Sequence, residues 1–492
     1  MTVISSNLLA ALAVTVVVIA VSDVLYNVFL HPLSRFPGPL LGRATSFYRH
    51  YLFMRGELQY ALKRLHDAHG PVVRIAPNEL SYVDAQAWKD IYLPLGDRNG
   101  PGEMVLYDRF YRFAGPNSPD TLVTLNMEDH ARLRHELVPA FSERTLRLQE
   151  PIMQGYVDLL VRRLGEESRG GEQPLNLRDW FNFYSFDIIG NLGFGSDFSG
   201  LEHSKLHPWV RAVTQNVREF AFLQMLMYMG LQRLVHMLAN SSLLKGRVLH
   251  ENLTRQKLLA RMAAGTERPD LLEPLLRLKE AMPLEQIFAN GSLLIIAGSE
   301  SSATLLVATV SFLAENPAAM RRLTDEIRTS FRNEDEITLT TVNNLRYLFA
   351  CVSESLRRFP PVPTGLPRVT PPGGAVICGQ QVPQNTIVSV AQWASYHSEA
   401  NFTDPFGYHP ERFMKDPRFA NDCLDVFQPF GYGHRSCPGR TLGLSETRLA
   451  LARILYNFDI EPLPASRDWA RRQKTYLLWY KQDYWARVKA VR

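Results

Sequence analysis

Apolar residues return every three to four positions along much of the chain between 55 and 360. The spacing predicts helices over 57–68, 128–140, 149–165 and 318–332, and an interrupted helical stretch over 206–262. Period-two alternation is confined to 71–83 (PVVRIAPNELSYV) and 375–390 (AVICGQQVPQNTIVSV), which predicts strands there. The expected fold class is mostly α, an α+β chain with small sheets. One helix should dominate. It opens at Pro283, a favoured first-turn residue, and stops before Pro317. At 1.5 Å per residue it is roughly 48 Å long. Most of it is apolar, so it belongs either inside a domain or across a membrane. The stretch AGSESSAT (297–304) weighs against the membrane, because a carboxylate at bilayer depth is expensive. Gly298 costs about 1 kcal/mol relative to alanine in a helix interior. Close packing of small residues explains the glycine and the serines but not Glu300. That residue points to something local, either a ligand close by or a distorted turn whose carbonyls meet hydroxyls.

Residues 1–22 carry no charge, and LLAALAVTVVVIAV forms their core. With its flanks the run reaches about 20 residues, enough for one membrane span. A cleaved leader is the rival, with AVS at 20–22 as a small-residue cleavage site. However, no Lys or Arg precedes the run, whereas Arg35, Arg43, Arg49 and Arg55 all follow it. The positive-inside tendency then makes residues 1–30 a membrane anchor with its C-terminal side in the cytosol. HPLSRFPGP (31–39) is a stiff, proline-rich hinge. Without repeats or long polar linkers, residues 40–492 are expected to form one domain. Sequons at Asn240, Asn252 and Asn401 should stay unglycosylated in the cytosol, while Asn290 falls on the long apolar helix and is uninformative.

A net charge of +5 over 492 residues gives no case for nucleic acid. The four cysteines, Cys351, Cys378, Cys423 and Cys437, fit no zinc spacing and no disulfide scaffold. Cys351 and Cys378 are read as small buried apolar residues. Cys437 is different. It stands in FQPFGYGHRSCPGR (427–440), between glycines and a proline, with Arg435 two positions before it. A tight loop can aim backbone N–H groups at a thiolate, and Gly431, Gly433 and Gly439 permit such a loop. Pro438 can open a helix whose N-terminus lies near the sulfur. A lone thiolate is a ligand for haem iron, where it favours O–O cleavage. Arg435 has the fork geometry to hold a haem carboxylate.

The run Phe430 to Gly439 fits F-x-x-G-x-R-x-C-x-G and resembles the haem-binding loop of cytochromes P450. The resemblance extends over nearly the whole chain. It implies that fold, with haem b held by Cys437, Phe430, Arg435 and Gly439. Glu354 and Arg357 resemble the family's E-x-x-R pair, and Arg412 in PERF completes a structural triad. His130 and Arg134 share one helix face at i, i+4 and match haem-propionate contacts in similar fungal sequences, as does Arg368. Glu300 and Ser301 take the positions of the family's acid–alcohol pair, with Ser302 as a fallback alcohol. Serine stands where threonine is usual, so the hydroxyl lacks its stiffening methyl.

The resemblance implies a monooxygenase using O₂, two electrons and two protons. G193-F-G195-S-D-F fails the dinucleotide fingerprint at its last position, so electrons should come from a partner. For a membrane-anchored member this is NADPH–cytochrome P450 reductase at the endoplasmic reticulum, with a b-type cytochrome as a further donor. Substrate contacts are expected from 103–120, 215–235, Phe288, Leu294, 363–366 and 475–478, with Phe110, Leu366 and Leu477 singled out. These segments are rich in Phe, Leu, Met and Tyr, which predicts a large apolar substrate. GLPRVTPPGGAVICG and HPERF look most like filamentous-fungal members of secondary metabolism. Peroxide-rearranging relatives often lack the acid–alcohol pair, and a non-catalytic haem sensor or carrier would not need it.

Overall fold

A computed structural model describes residues 2–94, 103–112, 118–209, 211, 217–239, 245–265 and 270–492. The sequon Asn240 and parts of two expected substrate segments, 113–117 and 215–216, lie outside them. The fold is helix-rich with small sheets.

The dominant helix runs Leu284–Glu315, 32 residues, with Pro283 as its N-cap. It is two-thirds buried, as a core helix of a globular body would be. Its most extensive partner is the helix Leu177–Phe194, which the periodicity did not reveal. Fifteen of that helix's residues are buried, on every face, so no polar stripe marks it in sequence. Where the two helices meet, a Cβ on Gly298 would lie 2.6 Å from Ile189 Cδ1. Packing against Ile189 thus accounts for Gly298. The helix is continuous through 297–304, and hydroxyls bond to its carbonyls one turn back. Ser299 Oγ donates to Ile295 O and Ser301 Oγ to Ala297 O, each at 2.6 Å.

The remaining helical stretches are Leu58–His69, Met127–Leu137, Glu143–Ser168 and Pro317–Ser330. The interrupted stretch becomes Val217–Tyr228, Gln232–Ala239 and Lys245–Ala263. Strands β1 (Val72–Ala76) and β2 (Glu79–Tyr82) form a hairpin. Both are buried along their whole length, so the sequence alternation did not translate into one wet face. Arg74, fully buried, donates Nε and Nη2 to Pro77 O at 3.0 and 2.8 Å.

The main sheet also takes β3 (Val105–Leu106), β5 (Arg368–Val369) and β8 (Ile387–Val390), in the order β1-β2-β8-β5-β3. A second sheet joins β4 (Leu175–Asn176), β9 (Phe458–Pro462) and β12 (Trp485–Ala490) in the order β4-β12-β9. Two hairpins complete the set: β6 (Ala375–Ile377) with β7 (Gln380–Val382), and β10 (Lys474–Thr475) with β11 (Trp479–Tyr480). The β6–β7 turn is Cys378-Gly379 with φ of 48° and 74°. Cys378 is thus a half-buried turn residue, whereas Cys351 is fully buried.

At the N-terminus, helix Thr2–Leu25 continues into a π-turn, Tyr26–Leu30. Ala10–Leu30 is long and apolar enough to cross a membrane, with mean hydropathy 2.1. The segment after it is fastened to the body. Arg43 Nη2 donates to Val28 O at 2.9 Å and Ser34 O at 3.2 Å. Arg74 N donates to Pro37 O at 2.7 Å.

Candidate active site

The loop before helix Arg440–Asn457 is folded by its own backbone. Cys437 N donates to Phe430 O at 2.8 Å, which closes the loop on the cysteine. Gly433 has φ +76°, and a Cβ there would lie 2.4 Å from Tyr92 O. Gly439 is otherwise. Its φ is −82° and a Cβ would meet nothing closer than 3.8 Å, so it is not needed for a left-handed turn. Gly439 is the N-cap of the helix, which leaves Pro438 one residue outside it. Cys437 is solvent-accessible, yet protein atoms surround much of its sulfur. That partial burial pushes the thiol up; the Gly439 N–H, then Arg134, pull it back towards the thiolate.

Basic residues gather beside this loop. Arg134 Nη1 donates to Ser436 O at 2.6 Å, next to the cysteine. His130 lies one turn before it, buried, with its Nδ1 unpartnered among the described residues. Burial, then Arg435 and Arg134, lower His130 to about 4, so it is neutral at ordinary pH. Arg368 Nη1 donates to Tyr111 Oη at 2.5 Å, and its guanidinium lies 5.2 Å from the Tyr92 ring centre.

Arg435 has an occupant that sequence reasoning missed. Its Nε donates to both Glu103 oxygens at 2.9 and 3.0 Å, and its Nη2 to Oε1 at 2.6 Å. His434 Nε2 joins the same carboxylate at 2.5 Å. Burial raises Glu103, but the hydrogen bonds and charges of Arg435 and His434 prevail and hold it below the usual carboxylate range. Arg435 thus spends two of its nitrogens on a side-chain carboxylate. Only Nη1 lacks a partner among the described residues.

An accessible sulfur, the orphaned Nδ1 of His130, the free Nη1 of Arg435 and two further guanidinium groups fit a dianionic haem. Three cations and one resident carboxylate leave positive charge for two propionates.

On the central helix, Glu300 is buried and Ser301 half-buried. Glu300 has a partner the sequence reading did not name, Lys481. Lys481 Nζ lies 2.6 Å from Glu300 Oε1 and donates to Thr304 Oγ1 at 2.9 Å. Glu300 Oε2 has no partner among the described residues. A lone lysine in the aromatic run LLWYKQDYW was the available signal, since a buried ammonium needs an anion. Ser302 faces another way, towards Glu446 of the helix after the cysteine loop. Burial lifts the Glu446 carboxyl to about 8, and the Ser302 hydroxyl offsets this in part.

Behind the loop, Glu354, Arg357 and Arg412 come together with side chains fully buried. Arg357 holds Glu354 through two bonds of 2.7 and 2.8 Å. Its Nη1 also donates to Tyr396 O and Pro405 O, each at 2.8 Å. Arg412 donates to Glu354 Oε1 at 3.3 Å and pairs with Asp422.

The residues expected to touch substrate sit on different elements. Phe110 is buried near Tyr228, and Leu366 packs on the cluster around the main sheet. Leu477 sits half-buried in the β10–β11 turn. Leu294 packs on the main core, and Phe288 is buried with the Arg255 guanidinium 4.6 Å from its ring centre. Asn401 is tied down by its Nδ2, which donates to Val83 O and Ser395 O. Asn252 is exposed, so among the described sequons it carries the topology test.

A family model described as Cytochrome P450 matches residues 32–484. Similar characterised proteins are fungal. Cytochrome P450 monooxygenase 1 of Neocamarosporium betae is 41% identical over 95% of each chain. Cytochrome P450 monooxygenase tpeC of Talaromyces stipitatus is 40% identical over 96% of this chain and 93% of its own. Cytochrome P450 monooxygenase aclL of Aspergillus oryzae is 40% identical over 97% of each.

Proposed function

Because the chain belongs to the cytochrome P450 family, we propose that it hydroxylates a large, mainly apolar secondary metabolite of terpenoid or polyketide type. The observation that carries the reading is the solvent-accessible Cys437 beside a cluster of cations. Haem bound there supplies the chemistry of O₂ activation.

The protein's own residues have distinct tasks. Cys437 is the thiolate ligand. His130, Arg134, Arg368 and Arg435 receive the propionates, and Phe430 and Gly439 shape the loop. Glu354, Arg357 and Arg412 brace the region behind it. Glu300 and Ser301 hold protons for the reaction. The Ser301 hydroxyl must turn away from Ala297 O to pass one on. Lys481 fixes one oxygen of Glu300 and leaves Oε2 for proton traffic.

Residues 1–30 are read as an endoplasmic reticulum anchor, 31–39 as the hinge and 40–492 as the catalytic domain in the cytosol. Electrons come from NADPH through a membrane-bound reductase. Epoxidation, desaturation and ring closure use the same site, and product mass separates them. The test compares metabolites of a producing strain with those of a Cys437→Ala strain by mass spectrometry. A hydroxylase gives an accumulating compound one oxygen lighter than the lost product. A difference of two hydrogens reassigns it as a desaturase or ring-closing oxidase. An unchanged profile overturns the reading.

A further inference from the structure

A cavity of about 30 Å³ lies between helix Phe47–Met54, helix Leu58–His69, the β1–β2 hairpin, helix Val217–Tyr228 and the 364–367 segment. Phe110 and Gly365, both in segments expected to contact substrate, line it. Its wall is not apolar. Arg49 Nε pairs with Glu79 at 2.9 Å, both buried, and the Arg49 guanidinium lies 4.0 Å from the Tyr228 ring centre. Three further polar groups on lining residues have no partner among the described residues: the Tyr228 hydroxyl, the Thr364 hydroxyl and Gln59 Oε1. Their residues are only 8%, 6% and 1% exposed. Buried polar atoms are ordinarily paired, so three orphans around one void call for a guest.

The guest's chemistry follows from volume and charge. A water-sized group needs at least about 10–15 Å³, so the void has room for one or two such groups and none for a ring. The ion pair is already balanced, and a carboxylate or ammonium would add an uncompensated charge. Tyrosine and threonine hydroxyls both donate and accept, and the Gln59 oxygen accepts.

We propose that this cavity is a polar subsite of the substrate pocket that takes a neutral hydroxyl or carbonyl oxygen on an otherwise apolar substrate. The proposal rests on the monooxygenase reading and narrows its substrate class to molecules already oxygenated away from the reacting carbon. A reaction that installs that oxygen must then precede this one.

The probe is the compound that the Cys437→Ala strain accumulates. It is titrated into full-length wild-type holoenzyme, Tyr228→Phe, Thr364→Val and the double variant, with the haem absorption shift as readout. The expected result is a compound bearing a hydroxyl or carbonyl, bound about 5- to 10-fold more weakly by each single variant. The double variant binds more weakly still, while the carbon monoxide spectrum and thermal midpoint are retained. Equal affinity across the variants means the cavity holds water only and overturns the proposal, as does a plain hydrocarbon. A wild-type protein without a haem–carbon monoxide spectrum, or a strain that accumulates nothing, instead fails the monooxygenase reading, and this one with it.

Discussion

Replacing Lys481 by methionine tests the account of Glu300. The Lys481 and Glu300 side chains are 4% and 8% exposed and 2.6 Å apart, and Lys481 also donates to Thr304 Oγ1. Methionine keeps most of the volume and removes the charge. The carboxylate is then left buried without its cation, a loss that typically costs about 3–5 kcal/mol. Removing both charges costs far less, because replacing a buried pair by neutral groups is often close to neutral. Lys481→Met should therefore be destabilised by about 3–5 kcal/mol in urea unfolding of the full-length protein. The Lys481→Met, Glu300→Gln double variant should recover most of that loss, giving a coupling energy of about 2 kcal/mol or more. Arginine at 481 should restore part of it. The same variants should differ in chemistry: Lys481→Met should release more peroxide per NADPH consumed, since its acid is no longer held. A single-variant cost below about 1 kcal/mol, or simple additivity of the two, would refute the reasoning.

The other predictions concern separate parts of the molecule. Glu446 holds its proton in the folded chain up to about 8, whereas the unfolded chain releases it near 4.5. The Glu446 contribution to stability is thus fully present below about 4.5 and is lost as pH rises to 8, and Glu446→Gln should remove that part of the pH dependence of the thermal midpoint. A midpoint difference between the two proteins that is the same at pH 4 and pH 8 would contradict it. Gly433→Ala would push a methyl group into Tyr92 O at a left-handed φ, so purified protein should contain little haem. Asn252 should carry no glycan on the natural protein, and a peptide map that finds one would reverse the proposed topology.

The loop around Cys437, the E-x-x-R pair and the span of the central helix were legible because each is local. Their residues lie within a dozen positions or repeat at a helical period. Glu103 and Tyr111 were not legible, and for Lys481 the aromatic run around it hinted at burial but not at its partner. Glu103 meets Arg435 from 332 positions away, and nothing near either residue announces the other. Helix Leu177–Phe194 escaped for another reason. A helix buried on all faces has no amphipathic period to read. The cavity beside Tyr228 draws lining groups from seven stretches of chain between residues 49 and 389, and only their assembly reveals that three of the polar atoms lack partners among the described residues.

The Lys481–Thr304 contact also constrains the order of events at the ribosome. The lysine is synthesised 177 positions after the threonine it bonds, and β12 follows it before pairing with β4 and β9. Throughout that interval the acid on the central helix has no cation beside it. Until Lys481 has been made, that carboxyl must stay hydrated, take up a proton or find another partner. The contacts that close this side of the interior can therefore form only after nearly the whole chain has been synthesised.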